Sequence, residues 1–72
     1  MNKLPLTKKQ EEVLEFIDRF IANNGYSPTL DEVANYFKLR SPQNAGAYIY
    51  QLIKKGKLGR KGKGRWRNLY IK

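Results

Sequence analysis

The 72-residue chain has no cysteine, no histidine and, beyond Glu32, no acidic residue. Without cysteine there is no disulfide scaffold, no thiolate nucleophile and none of the usual thiolate zinc sites, so apolar burial alone must hold the fold. Without histidine the commonest general base and metal ligand is missing. No apolar run approaches the roughly 18 residues of a membrane span, and Met1-Asn2-Lys3-Leu4-Pro5 opens no stretch of signal-peptide length. The chain is therefore expected in the cytoplasm, with no membrane partner, no cofactor, no metal and no small-molecule ligand. Its length leaves room for one domain, residues 1–72, with a thin core.

What the chain does have is unevenly placed charge. Residues 1 to 32 carry all six acids (Glu11, Glu12, Glu15, Asp18, Asp31, Glu32) against four bases, a net −2. Residues 33 to 72 carry eleven bases, a net +11 within a total of +9. A solvated face usually mixes signs, so a one-signed half predicts a polyanionic partner.

Local patterns divide the chain into elements. Thr7 with Gln10 forms a capping box, and Val13, Leu14, Ile17, Phe20 and Ile21 recur at three- and four-residue steps, predicting a first helix over about 8–23 that Asn24-Gly25 ends. Thr29 with Glu32 repeats the box ahead of Leu30, Val33, Ala34 and Phe37, a second helix over about 30–37. After Lys38-Leu39-Arg40, Ser41 is placed to cap and Pro42 to open a third helix, about 42–55, whose buried stripe is Ala45, Ile49, Leu52 and Ile53. Two helices separated by so short a turn have the spacing of a helix-turn-helix. From Lys57 the glycines mark a hairpin tip, and Leu69 and Ile71 alternate with Asn68 and Tyr70 as a half-buried strand does, with Leu58 facing them. The expected fold is mainly α with a small β-hairpin: a winged helix-turn-helix, three helices followed by a two-stranded antiparallel wing over about 57–71.

The motifs Leu6-Thr7-Lys8-Lys9-Gln10 with Val13-Leu14, Ser27-Pro28-Thr29 with Glu32-Val33-Ala34, Arg40-Ser41-Pro42 and Lys55-Gly56 resemble, at the family's spacing, the N-terminal DNA-binding domain of the LexA repressor family. The resemblance runs from Leu6 to about Ile71 and implies a transcriptional repressor acting on duplex DNA in the cytoplasm, at the nucleoid. Three departures carry consequences. Lys38 stands where the family usually has glycine, so a left-handed backbone there costs on the order of 1 kcal/mol. Gly46 and Ala47 stand where the family's best-known member has an acidic pair, so the operator is expected to differ. Family members continue into a peptidase-like domain with a Ser/Lys pair that dimerises and cleaves its own linker; the chain ends at Lys72, and self-cleavage is not expected of it.

At about 100° per residue, Gln43, Asn44, Ala47, Tyr50, Gln51 and Lys54 oppose the buried stripe of the third helix. Gln and Asn amides match adenine N6 and N7 and a methyl group suits the thymine methyl, so Ser41, Gln43, Asn44, Gly46 and Ala47 are the candidate base readers, on A·T-containing half-sites. Gly46 costs roughly 0.8–1 kcal/mol in a helix interior, offset either by close packing on a neighbouring helix or by close approach to DNA. Candidate backbone contacts are Ser27, Thr29, Arg40, Tyr50, Gln51, Lys54, Arg60, Lys61, Lys63, Arg65 and Arg67, the wing tip lying in or beside a minor groove. Neutralising about five to seven phosphates predicts a log K against log salt slope of roughly −4.5 to −6.

Three rivals are weighed. Tyr48, Tyr50, Trp66 and Tyr70 among bases suit stacking on single strands or RNA, although such aromatics also serve as core or rim filler. An enzyme is not expected: the acids Glu11, Glu15 and Asp18 read as the solvated face of the first helix. The same acidic face suits a protein partner, making an adaptor winged helix the alternative function. One module reads only a few base pairs, so a homodimer on paired half-sites is a further expectation.

Overall fold

In the computed structural model, residues 5–62 and 67–72 are described. Helix α1 spans Lys8–Asn24, α2 Leu30–Phe37 and α3 Pro42–Lys54; strands β1 (Leu58–Arg60) and β2 (Leu69–Ile71) follow. The strands pair antiparallel in the register Leu58 to Ile71, Gly59 to Tyr70 and Arg60 to Leu69. This is the expected winged helix-turn-helix, with α1 ending one residue later and α3 one residue earlier than the sequence pattern suggests.

The helices start where side chains satisfy backbone N–H groups. Thr7 Oγ1 accepts from the Gln10 N–H while Gln10 Oε1 accepts from the Thr7 N–H, both at 3.1 Å. Thr29 and Glu32 repeat the exchange at 3.1 and 2.9 Å. Each box satisfies two donors that an open helix end leaves orphaned. At the other end of α1, Gly25 takes a left-handed backbone, φ 82°, and donates to Ile21 O.

Lys38 is also left-handed, φ 57° and ψ 42°, and the Leu39 N–H reaches back to Ala34 O at 2.8 Å. That six-to-one bond is the Schellman closure, usually served by glycine. The turn needs the conformation that lysine adopts at a cost on the order of 1 kcal/mol. It folds the chain sharply enough to bring α2 and α3 into contact within four residues.

The core is small and contributed by every element but β2: Val13 and Ile17 from α1, Val33 and Ala34 from α2, Ala45, Ile49 and Leu52 from α3, and Leu58 from β1. Leu14, Phe16, Ile21, Leu30, Phe37, Leu39, Tyr48, Ile53 and Leu69 pack partly buried around it. Only two members of the broad apolar stripe on α1 reach the centre; Phe16 turns instead toward α2, stacking on Tyr36 at 4.3 Å and meeting Phe37 edge-on at 5.7 Å. In the wing, Gly59 lies opposite Tyr70, and a β-carbon there would collide with the phenol ring. Glycine thus lets the Tyr70 ring lie across β1.

Candidate nucleic-acid interface

Burial of Ala45, Ile49 and Leu52 fixes the rotation of α3, and so decides what it shows to solvent. Gln43, Asn44, Ala47, Tyr50, Gln51 and Lys54 are all exposed, and Gly46 is half-buried at the border of the packed stripe. A β-carbon on Gly46 would meet only Leu30 Cδ1, at an ordinary 3.8 Å, so packing does not require glycine there. Arg40 is exposed in the turn before α3, and Arg60 and Lys61 are exposed on the wing. Lys61 is held by its backbone, whose N–H donates to Asn68 O at 2.8 Å. Tyr50 is 58 % exposed, with the Lys54 ammonium 5.8 Å from its ring centre. Tyr48 packs on the core and Tyr70 across the wing. Lys63, Arg65 and Trp66 lie outside the described residues.

The N-terminus of α3 departs from expectation. Ser41 occupies the capping position with an extended backbone, φ −153° and ψ 161°, yet its hydroxyl makes no capping bond. The donor it would serve, the Asn44 N–H, is taken by the Ser41 carbonyl at 3.1 Å, a tighter three-residue closure. The first turn of α3 carries no acid to complement the helix dipole, and half-buried Ser41 leaves its hydroxyl unused in capping.

Three of the expected backbone contacts have partners within the protein. Ser27 is 2 % exposed, and its Oγ accepts from the Leu69 N–H at 3.1 Å, which removes the hydroxyl from any external ligand. Thr29 is 7 % exposed and its Oγ1 is used as the α2 cap. Arg67 turns inward. Its guanidinium donates to both Glu32 carboxylate oxygens, at 3.0 and 2.9 Å, and to Ser27 O at 3.1 Å. Its central carbon also lies 4.5 Å from the centre of the Tyr26 ring. The Arg67 fork, with help from the Thr29 N–H, holds the Glu32 carboxyl below the usual carboxylate range.

A second long-range tie escaped the sequence pattern. Lys55 Nζ donates to Gln10 Oε1 at 2.7 Å and to Pro5 O at 3.1 Å, joining the end of α3 to the start of α1. Nothing local marks it, since the partners lie 45 and 50 residues apart.

The acids of α1 stand on another face. Glu11, Glu12, Glu15 and Asp18 are exposed, with Glu15 paired to Arg19 at 3.5 Å and Glu12 to Lys9 at 4.0 Å. Such exposed pairs contribute little to stability. Beside them Tyr36 is 63 % exposed. Among the described residues no three acids converge as a metal site would need, and no helix is long and apolar enough to cross a membrane.

Known proteins share this arrangement. The LexA DNA binding domain family matches residues 3–67. A LexA repressor of Thermosipho melanesiensis is 45 % identical over 58 residues, which cover 81 % of the chain and 29 % of that protein. A LexA repressor of Thermosipho africanus is 43 % identical over the same length and shares, and one of Petrotoga mobilis is 37 % identical over 60 residues, 83 % of the chain and 29 % of the relative. The chain thus spans less than a third of the length of these relatives. With nearly every residue from α1 to the wing inside the match, and the helix-turn-helix geometry in place, the chain belongs to the LexA DNA-binding domain family.

Proposed function

We propose that the chain binds duplex DNA in a sequence-dependent way, as the reading module of a transcriptional repressor. In this reading α3 enters the major groove and the wing cations lie on the flanking backbone or minor groove. One observation carries it: the outward face of α3, from Gln43 to Lys54, is exposed and free of acids, and Arg40 in the preceding turn and Arg60 and Lys61 on the wing are exposed as well. Gln43, Asn44 and Ala47 read bases, with A·T pairs preferred, and Gly46 admits close approach of the backbone. Ser41 contacts DNA through the hydroxyl that capping leaves unused, and Tyr50 and Gln51 touch the sugar-phosphate backbone. The module acts by occupying its site in the cytoplasm, excluding polymerase, without catalysis.

Removing Arg67 from the set of contacting cations lowers the electrostatic expectation. Arg40, Lys54, Arg60, Lys61, Lys63 and Arg65 neutralise about four to six phosphates, a log–log salt slope of roughly −3.6 to −5.4. Selection from random duplexes, followed by salt titration of the winner and a scrambled control, tests the reading. An A·T-containing motif and a slope in that range are expected, and a slope near zero overturns it. Asn44→Ala is expected to cost about 1–3 kcal/mol on the selected site and little on the scrambled one. Equal losses on both remove Asn44 from base reading. Mass measured on the bound complex reports whether two copies occupy paired half-sites.

The exposed Tyr36 ring beside Glu12 and Glu15 supports a second surface for a protein partner. Absence of duplex binding at low salt would make that adaptor reading the leading one.

A further inference from the structure

Among the described wing cations, Arg67 makes a two-pronged ion pair back into the protein, and the segment it grips is the entry to α2. The fork on Glu32, the bond to Ser27 O, the stack on Tyr26 and the neighbouring Leu69 N–H to Ser27 Oγ bond all join β2 and its approach to residues 26–32. The backbone at Arg67 is left-handed, φ 48°, a conformation an L-residue adopts only at a cost. That strain accompanies a side chain aimed inward.

The two strands are not equally anchored. β1 follows directly from α3: Leu58 is fully buried, and the Lys57 N–H closes back on Leu52 O at 2.9 Å. β2 has no fully buried side chain, and its ladder to β1 is three residues long. A hairpin so short does not hold its own direction in water. Because α2 packs on α3, a tie from β2 to α2 would orient the wing relative to the recognition helix.

We infer that the Arg67–Glu32 fork is a positioning clamp that sets the direction of the wing against the helix-turn-helix, and that Arg67 contributes to DNA binding through this clamp instead of through a phosphate. The second half rests on the duplex-binding reading above. The clamp acts by preorganisation: without it, the wing must be ordered each time it engages the duplex, and affinity falls for an entropic reason with no change in what α3 reads.

Two variants separate clamp from charge. Glu32→Gln keeps the cap, as Gln10 does at the same position of α1, and removes only the acceptor for the second arm of the fork. It also makes the protein more positive, so a purely electrostatic effect would tighten binding; the clamp requires it to weaken. Arg67→Lys keeps the charge that a phosphate contact needs and loses the two-pronged geometry.

In the free protein, amide exchange at Leu69 and Lys61 is expected to accelerate in both variants while that of Ile49 in the core of α3 stays as it was. On the selected duplex, both variants are expected to bind about three- to tenfold more weakly with the same preferred sequence. Lys61→Ala is expected to weaken the wild type and lower its salt slope by about 1. Its effect is expected to shrink in the Glu32→Gln background, which a merely stabilising ion pair would not cause. Unchanged exchange at Leu69 overturns the clamp. Glu32→Gln binding as tightly as wild type, or an equal Lys61→Ala loss in both backgrounds, overturns its role in DNA binding. If the wild type binds no duplex at low salt, the functional reading falls, and the clamp still stands or falls on the exchange at Leu69.

Discussion

The N-termini of α1 and α2 are closed twice, and that of α3 is left open. In each of the first two, a threonine and the residue three positions on complete a capping box, and a basic residue from the far half of the chain then grips the same side chain: Lys55 on Gln10, Arg67 on Glu32. At α3 the serine hydroxyl caps nothing, proline occupies the first turn, and no acid complements the dipole. The difference separates scaffold from site. Helix ends whose donors are spent inside the protein hold elements in place. An end whose hydroxyl and positive pole remain unspent is suited to an anion or a base edge.

The largest effect that would test this contrast is loss of a buried cap. Thr29→Ala strands the Glu32 N–H at a position 7 % exposed, and is expected to destabilise the fold by about 1–2 kcal/mol in urea unfolding. A loss under about 0.3 kcal/mol would mean that the cap is replaced, and the closed ends would not differ from the open one. Gly46→Ala works in the opposite direction on the open helix. It is expected to stabilise by up to about 0.8–1 kcal/mol, because the added methyl group meets only Leu30. Weaker duplex binding by that more stable protein would show that glycine is kept for approach to DNA, and unchanged binding would remove that role.

Acid titration reads the clamped cap. The carboxyl of Glu32 ionises more readily in the folded protein than in the unfolded chain, chiefly because of Arg67. Its contribution is therefore present above the unfolded value of about 4.3 and is lost as pH falls through the lower folded value. The Glu32 side chain is 38 % exposed, so solvent screening limits the contribution to less than about 1 kcal/mol. The stability gap between wild type and Glu32→Gln should narrow as pH falls below the ordinary glutamate range and close only once the pH lies below the lowered folded value; a gap that does not narrow in acid would remove the ion pair as its source. The smallest expected effect is on the open end. Ser41→Ala should change stability by less than about 0.5 kcal/mol while weakening duplex binding. A loss near 1 kcal/mol would show that Ser41 caps in solution after all.

Much of this domain was legible in one dimension. The capping boxes at Thr7 and Thr29 and the three- and four-residue apolar steps place all three helices within one residue of their observed ends. The left-handed turn at Lys38 is likewise a local matter of how many residues separate two helices. The wing was legible as a two-stranded hairpin, but its cations were not separable: Arg60 and Arg67 look alike in a basic run, yet one is exposed and the other is half-buried against Glu32. Ser27 looked like a phosphate ligand because serine before a helix so often is one; only the arrival of Leu69 from 42 residues away shows that its hydroxyl is occupied. Ser41 failed for a subtler reason. The Asn44 N–H has two acceptors within one residue, hydroxyl and carbonyl, and the choice between them depends on the approach of the chain from the turn.

By itself the sequence determined the helices, their order and the concentration of positive charge in the second half. Those follow from hydrogen bonds and apolar periods that act within a few residues, and from composition. Which polar groups are left for a ligand was decided by the tertiary structure alone. Whether a hydroxyl or a guanidinium faces out depends on partners brought together by folding: Glu32 and Ser27 beneath Arg67, Gln10 beside Lys55. Those pairings exist only once the core of α1, α2 and α3 has closed, because burial of its apolar residues, and not any local preference, brings the two halves of the chain to the same place.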